Sequence, residues 1–526
     1  MVSLPYLWVL TDLWSSPSLF RTVLPNHSLS NLYDLQARAM FQGHLYVPKG
    51  SLGVEAFVHA GHQYTYFGLF PSILRMPILA FTHSMDGRLT APSLLLAWLV
   101  TGLFSSLLLW RVRWLIRGPA TLGLAEATTY GVLIATILGG SVLMNLAASP
   151  WVYSEDIAWS VALMLGSLFA LLGVLEAPSW GRVTAAGLLI LATNLNRGSS
   201  GYGCVLGAVL AAAWLASGRA GSENRRWWWP VLLVGLIPLT VAFSVSWAKF
   251  GTFNSVPLND QIAFHRLHTK NSAFALRYVP TTLLAYVGGT GLHISSVFPF
   301  ITLPQFPARA VGNVMLFGTQ PVATVPGSTP LLFVLTLWGF VTVCLRRPAG
   351  RTRVVAIVLM AAAVPAAAIL VFGFVAERFT GDVLPLLVVG SAAGLVDLWQ
   401  RLERRGSRPA RKVALALVLV LGIFGVVANT AMSVTPTGWW SKQQLVHYVQ
   451  FQKSAGGLIG SPLAGSVVRD RKLPASAPRG ELLIRGDCAA LYVYVPNGIR
   501  SWVKIEKRNR SDPSSVSLCK SLLTRR

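Results

Sequence analysis

The chain is short of charge, and the little it carries is lopsided: 12% of its 526 residues are Asp, Glu, Lys or Arg, with 19 acidic side chains against 44 basic ones. Soluble domains carry roughly 25% charged residues, so this composition argues against a water-soluble core. Cysteine is scarce too. Four in the whole chain supply neither a disulfide scaffold nor a metal cluster, and Cys204 and Cys344 fall inside apolar runs, where they are inert. No internal repeat, heptad array or low-complexity tract is present, which weighs against transporters built from repeats. The N-terminal stretch 3–20 lacks the basic start and small-residue cleavage site of a signal peptide. Interrupted by Asp12 and a Ser/Pro cluster, it reads as a poor first helix or the remnant of one.

What is abundant is apolar surface. Hydrophobic residues make up 53% of the chain, 18 residues are Trp, and the mean hydropathy is +0.56, as in a polytopic membrane protein. Apolar runs fall near 91–110, 130–149, 157–176, 182–196, 200–217, 228–247, 329–346, 354–376, 383–400 and 412–433. Most approach the ~20 residues that cross a hydrocarbon core of about 30 Å. Basic residues cluster in alternate loops, at Arg111 to Arg117, Arg182, Arg219 to Arg226, Arg346 to Arg353 and Arg401 to Lys412. Those loops are expected in the cytoplasm. The net charge of +25 is thus a matter of topology and not of nucleic-acid binding.

The intervening segments face outward on this reading: 21–90, 149–156, 196–201, a long loop at 248–328, 376–382 and the tail from 434. The long loop is rich in aromatics and is expected to lie on the membrane as short interfacial helices, able to form a lid. In the tail, alternating residues and the Asn497-Gly498 turn predict a small β-rich external domain. Cys488 and Cys519 are its only cysteines and are candidates for a disulfide in an oxidising compartment. The expected fold is an all-α polytopic membrane protein of about 10 to 11 transmembrane helices, with a membrane domain at 1–433 and an extracytoplasmic domain at 434–526.

The polar residues that invite chemistry gather on the outer side. Ser30 or Asn31 can cap a helix starting near Leu32, which holds Asp34 in the first turn and sets Arg38 four residues on. Asp34 reads either as a general base for an acceptor hydroxyl or as half of a helix pair with Arg38 worth ~0.3 kcal/mol. Glu55 has no such placement and reads as solvated. Tyr33, Tyr64, Tyr66, Phe67 and His62 are candidates for sugar or lipid contact, with Gly68 permitting a tight turn and Pro71 starting a new helix. Glu155 and Asp156 either cap a helix with Ser154, orient an acceptor hydroxyl, or bind a divalent cation such as Mg or Mn. Arg197 and Arg378 lie at outward helix ends, against the usual bias for Arg. They are candidate ligands for a donor phosphate, with Gly198, Gly201 and Gly203 allowing close approach and Asp382 orienting Arg378.

The order of these features resembles a known family. An acidic residue at a helix start in the first outer loop, Tyr66-Phe67-Gly68 before Pro71, Val152-Tyr153-Ser154-Glu155-Asp156 in an outward turn, Phe250-Gly251 opening the long loop, and Glu377-Arg378-Phe379 with Asp382 and Pro385 are similar to the integral-membrane GT-C glycosyltransferases. The likeness is to their actinobacterial members that use polyprenyl-phosphate sugars, over roughly 30–433. The resemblance implies Asp34 as the catalytic acidic residue. It also implies transfer of an arabinose- or mannose-class sugar from a polyprenyl-phosphate donor to a cell-envelope glycan or glycolipid, at the outer face of the plasma membrane. The competing reading is a transporter or flippase of a lipid-linked or anionic substrate. Polar residues at the helix ends and not at the bilayer midplane favour the enzyme. Membrane lipids are expected partners, and no cofactor is certain, the divalent cation above being the one admitted.

Overall fold

The computed structural model describes residues 2–14, 18–22, 31–253, 256–263, 272–288, 291–294, 298–304, 307–345, 352–435, 448, 451–452 and four C-terminal strands. A short α1 (Ser3–Leu10) packs Tyr6 and Leu10 into the core, the Tyr6 ring stacked on Trp98. Then come α2 (Leu32–Phe41), a hairpin of β1 (Phe57–His59) and β2 (His62–Tyr64), and α3 (Phe70–Leu79). Asn31 takes the N-cap position of α2 and Pro71 lies in the first turn of α3, as the sequence predicts.

The long helices follow: α4 (Thr90–Arg117), α5 (Leu124–Gly139), α6 (Val142–Ala148), α7 (Val152–Glu176), α8 (Trp180–Asn196), α9 (Gly198–Ala216) and α10 (Trp228–Phe250). After the long loop, with its short α11 (Val279–Leu283) and α12 (Val325–Ser328), come α13 (Pro330–Phe340), α14 (Arg353–Leu370), α15 (Leu384–Arg405) and α16 (Arg408–Ser433). Seven described helical segments are long and apolar enough to cross a membrane. The apolar runs near 182–196, 329–346 and 383–400 hold the helices Trp180–Asn196, Pro330–Leu345 and Leu384–Arg405, which fall short of that length or apolarity. Helix α7 is the spine, nearly every side chain from Val152 to Leu175 being buried. The outer helices show the reverse pattern. On α16, Val413, Leu417, Val420, Ile423 and Val427 are more than half exposed along one stripe, which a lipid environment explains and water does not.

Successive helices run back and forth, so the Arg-rich turns collect at one end of the bundle. There Glu126, 1% exposed, accepts from Arg113 at 3.1 Å, from Arg117 and from the Tyr130 hydroxyl, while Arg117 also pairs with Glu403. This knot ties the ends of α4, α5 and α15.

The long loop carries short helices, as expected: residues 276–288 are helical throughout, around α11, with Leu276, Leu283, Leu284 and Val287 exposed along them. Alongside these it makes strand pairs: β3 (His293–Ile294) with β4 (Ile301–Thr302), and β5 (Gly318–Thr319) in parallel with β6 (Phe374–Val375). Ala275 N–H donates to Val371 O and Phe317 N–H to Gly373 O, each at 2.8 Å, so residues 371–375 are flanked on both edges. Those backbone pairs, satisfied inside the loop, anchor it over the bundle. In the tail, β7 (Gly465–Val468), β8 (Leu482–Arg485), β9 (Ala490–Tyr494) and β10 (Trp502–Lys507) form one sheet in the order β10-β9-β8-β7, with β7 parallel to β8 and the other pairs antiparallel. The Asn497-Gly498 turn, Cys488 and Cys519 lie outside the described residues.

Candidate active site

At the end of the bundle opposite the Arg-rich knot, a cavity of about 690 Å³ lies between the hairpin, the first turn of α7, the α8–α9 junction, the end of α10, the end of α14 and the 377–382 turn. Its walls are largely aromatic, including Tyr66, Phe67, Tyr153, Phe243, Phe374 and Phe379. Leu258, Gln261, Phe274 and Phe317 from the long loop roof it. Toward the membrane it extends over α9 between α10 and α14, along Ala242, Phe243, Val245, Tyr202 and Ala368, so one chamber joins a polar end to an apolar groove.

Two buried ionic clamps hold the polar end. In the first, the Arg75 guanidinium lies 2.8 and 2.6 Å from the two Glu155 carboxylate oxygens and 3.3 Å from Asp34 Oδ1. Ser93 Oγ donates to Glu155 at 2.5 Å, and Trp159 Nε1 donates to Ser93 at 2.9 Å. Asp34 Oδ2 accepts the Gly87 N–H at 2.6 Å. Burial raises the Asp34 carboxyl above the usual range, and Arg75 with the Gly87 N–H offsets only part of that. Asp34 is 2% exposed and does not line the cavity, which revises the expectation that it reaches an acceptor. The expected Asp34–Arg38 pair is not formed: Arg38 donates to Leu79 O at 2.6 Å, Thr82 O at 2.7 Å and Asp86 at 2.8 Å.

In the second clamp, Arg197 at the start of α9 donates to Asp156 at 2.5 Å and to both Asp382 oxygens at 2.9 Å. Burial alone would lower its pKa, but the two carboxylates more than reverse that and hold the guanidinium charged. This corrects the pairing of Asp382 with Arg378. Glu155 and Asp156 likewise do not act as one acidic pair, because each meets a different guanidinium. Arg197 occupies the place between Asp156 and Asp382 that a divalent cation would take, so those residues do not fit one. Among the described residues, no three His, Cys, Asp or Glu side chains gather as a metal site elsewhere.

Arg378 is the exception. Its guanidinium is stacked among Tyr153 and Phe379, 4.9 Å from each ring centroid, and Phe374 at 5.5 Å. Its only described polar contact is Gln320 Oε1 at 3.3 Å, and no carboxylate pairs with it among the described residues. Burial pulls its pKa down. Lys249, 3% exposed, joins it in the cavity, donating to Thr65 O and Phe67 O at 3.0 Å each. An ammonium has three donors, so one remains. Glu55 joins Arg378 and Lys249 as the third Asp, Glu, Lys or Arg side chain outside the clamps that lines the chamber.

Of the aromatic candidates, Tyr66 and Phe67 line the cavity. Tyr33 is buried beneath Arg75, 5.1 Å from its ring, and Tyr64 packs against Phe250 at 5.9 Å. His62 stacks on Tyr46 at 4.1 Å beside a separate surface cleft of about 320 Å³. Gly68 serves packing and not a turn, since a Cβ there would lie 2.1 Å from Leu195 O. Gly201 and Gly203 likewise abut Asn194 and Ala361, not a ligand space. Arg75, Lys249, Glu55 and Tyr153 were passed over or read otherwise from sequence. For Lys249 a signal existed, because it is a lone base in the last turn of an apolar helix, the same anomaly that marks Arg197 and Arg378; Arg75, in the middle of the short α3, carries no such mark.

No family model matches the chain, and no curated protein matches it. Among solved structures it is similar to the oligosaccharyltransferase AglB of Archaeoglobus fulgidus in complex with an inhibitory peptide and a dolichol-phosphate. That match has a TM-score of 0.46 and 14% identity, over 91% of this chain and 61% of that one. The apo form of the Archaeoglobus fulgidus oligosaccharyltransferase gives 0.44 and 14% over the same shares. The form tethered to an acceptor peptide gives 0.42 and 13%, over 91% and 60%. The chain therefore spans about 61% of the length of these structures.

Proposed function

We propose that the protein is an integral-membrane glycosyltransferase of the GT-C kind, which takes a sugar from a polyprenyl-phosphate donor at the outer face of the plasma membrane and passes it to an envelope glycan or glycolipid. The observation that carries this reading is Arg378, a guanidinium set among aromatic rings with no carboxylate partner among the described residues, in a cavity that continues into an apolar groove. A half-buried cation packed against rings without a counter-charge is costly. A phosphate ester supplies the missing anion through a bidentate fork, and a polyprenyl tail suits the groove over α9. Lys249 is a second cation for the same phosphate. The N-terminus of α9, with Gly198 and Ser199 on the cavity wall, adds a favourable dipole.

The chemistry needs little else. Transfer with inversion joins the acceptor oxygen to the anomeric carbon as the bond from that carbon to the phosphate oxygen breaks. The phosphate leaves with the electron pair and gains one negative charge, which Arg378 and Lys249 stabilise as it forms. Arabinose- and mannose-class sugars both fit a chamber of this size. The outward orientation rests on the Arg-rich end lying in the cytoplasm.

The test is retention of polyprenyl phosphate by the purified protein in lipid nanodiscs, followed by transfer from a panel of polyprenyl-phosphate sugars. Saturable retention that Arg378→Ala weakens, with turnover of at least one donor, is expected. No retention, or retention indifferent to Arg378, would sink the reading.

A further inference from the structure

We infer that Glu55 is the general base of the transfer, a deeper claim that rests on the donor reading above. Three carboxylates line the cavity, Glu55, Asp156 and Asp382. The latter two are taken by Arg197, at 2.5 Å and 2.9 Å. Asp34 and Glu155 lie outside the cavity wall and share Arg75. A carboxylate whose oxygens are engaged by a guanidinium is not free to accept an incoming hydroxyl. Glu55 makes no ion pair among the described residues.

The local structure fixes where Glu55 points. It ends a single 3₁₀ turn, Gly53–Glu55, just before β1. The long loop is stapled to the next residues: Ile262 N–H donates to Ala56 O at 3.0 Å, and Phe57 bridges to Gln261. Gln261 Nε2 then donates to Glu55 Oε2 at 2.8 Å. Tyr153 lines the cavity beside Glu55 and carries Arg378 on its ring face. Burial raises the Tyr66 hydroxyl pKa, with Glu55 adding to it and Arg378 opposing. Glu55 and Arg378 thus share the two tyrosines, one at the acceptor side and one at the phosphate side of the chamber. Glu55 is only part-buried, leaving an oxygen within reach of an incoming hydroxyl. In the reaction, the acceptor O–H proton passes to a Glu55 oxygen as the acceptor oxygen bonds to the anomeric carbon and the lipid phosphate departs.

Glu55→Gln keeps the size of the side chain and can still bond Gln261. It should lower turnover by about 100-fold or more while retention of polyprenyl phosphate stays at the wild-type level. Glu55→Ala supplied with azide, an anionic nucleophile with no proton to lose, should regain transfer and yield the glycosyl azide, which a merely structural role would not produce. Near-normal turnover by Glu55→Gln in an assay where the wild type transfers sugar overturns the assignment and leaves the donor reading standing. Azide that restores nothing to a folded Glu55→Ala overturns it as well, as does an Asp34→Asn variant that is silent while Glu55→Gln turns over. A wild type that moves no sugar from any lipid-phosphate donor overturns both.

Discussion

Replacing Arg197 with Met is the sharpest probe of how the cavity is held. The substitution keeps much of the side-chain volume and leaves Asp156 and Asp382, 3% and 2% exposed, facing one another with no cation between them. Breaking a buried pair from one side costs about 3–5 kcal/mol. A ceiling follows from protonation. Holding one Asp neutral at pH 7, starting from a free pKa near 3.9, costs about 4.2 kcal/mol at 1.36 kcal/mol per unit, and one shared proton suffices to turn the pair into a hydrogen-bonded dyad. The variant should therefore lose about 4 kcal/mol at pH 7 and recover about 1.4 kcal/mol for each unit of acidification. The sign is that of carboxylates whose folded pKa has risen: the folded state is favoured at low pH, and the advantage disappears as pH rises. Equilibrium unfolding in mixed micelles at pH 5 and 7 measures both quantities. The triple variant with Asp156→Asn and Asp382→Asn should regain most of the loss, since neutral replacements remove the buried charge altogether. Wild-type stability of Arg197→Met at pH 7, or an equal loss at both pH values, refutes the clamp.

The remaining predictions use different readouts. Arg378→Ala should weaken polyprenyl-phosphate retention about 10- to 150-fold, the equivalent of ~1.5–3 kcal/mol of charge-assisted hydrogen bonding, and Arg378→Lys should recover only part; unchanged affinity contradicts the phosphate role. Because burial raises the Asp34 carboxyl above its unfolded value, its contribution favours folding in acid and is lost as pH rises through the folded pKa. Asp34→Asn should accordingly show a smaller fall in stability between pH 4 and 7 than the wild type, and parallel curves would refute this. A cysteine placed at Gly327 should react with an impermeant thiol reagent from outside the cell and one at Gly350 should not; the reverse labelling would put the cavity in the cytoplasm. Thiol titration of unfolded, unreduced protein should find Cys488 and Cys519 unreactive, and two titratable thiols there refute a disulfide.

The helices were legible from sequence because membrane spans declare themselves by unbroken apolar length, and the starts of the outer-loop helices by residue type: Asn31 takes the N-cap position of α2, though its side chain makes no capping hydrogen bond, and Pro71 lies in the first turn of α3. The partners of charged side chains were not legible. Helical spacing favours Asp34 with Arg38, yet Asp34 turns instead to Arg75 and Gly87. Proximity in sequence likewise suggested Arg378 with Asp382, whereas Asp382 closes on Arg197 from α9. Local pairs on one helix contribute a few tenths of a kcal/mol; a buried guanidinium can outweigh that from any distance along the chain. Glu55 was invisible for the same reason. Nothing beside it in sequence gives it a task, and its setting is made by Gln261, Tyr153 and the cavity wall.

Adjacent residues on a helix point about 100° apart, and at the outer end of α7 this decides the division of labour. Glu155 turns toward Arg75 and so ties in α2 and α3, while Asp156 turns toward Arg197 and so ties in α9 and the 377–382 turn. Tyr153, from the same turn, faces the chamber between those two walls and carries Arg378 on its ring. The acidic residues that stand out most in the sequence are thus the posts from which the walls hang. A carboxylate whose oxygens face a buried guanidinium is poorly placed to reach an incoming hydroxyl, and an arginine between two carboxylates has little attraction left for a phosphate. Reactivity falls to the groups this scaffold leaves without a counter-charge, Glu55 on one side of the tyrosines and Arg378 with Lys249 on the other.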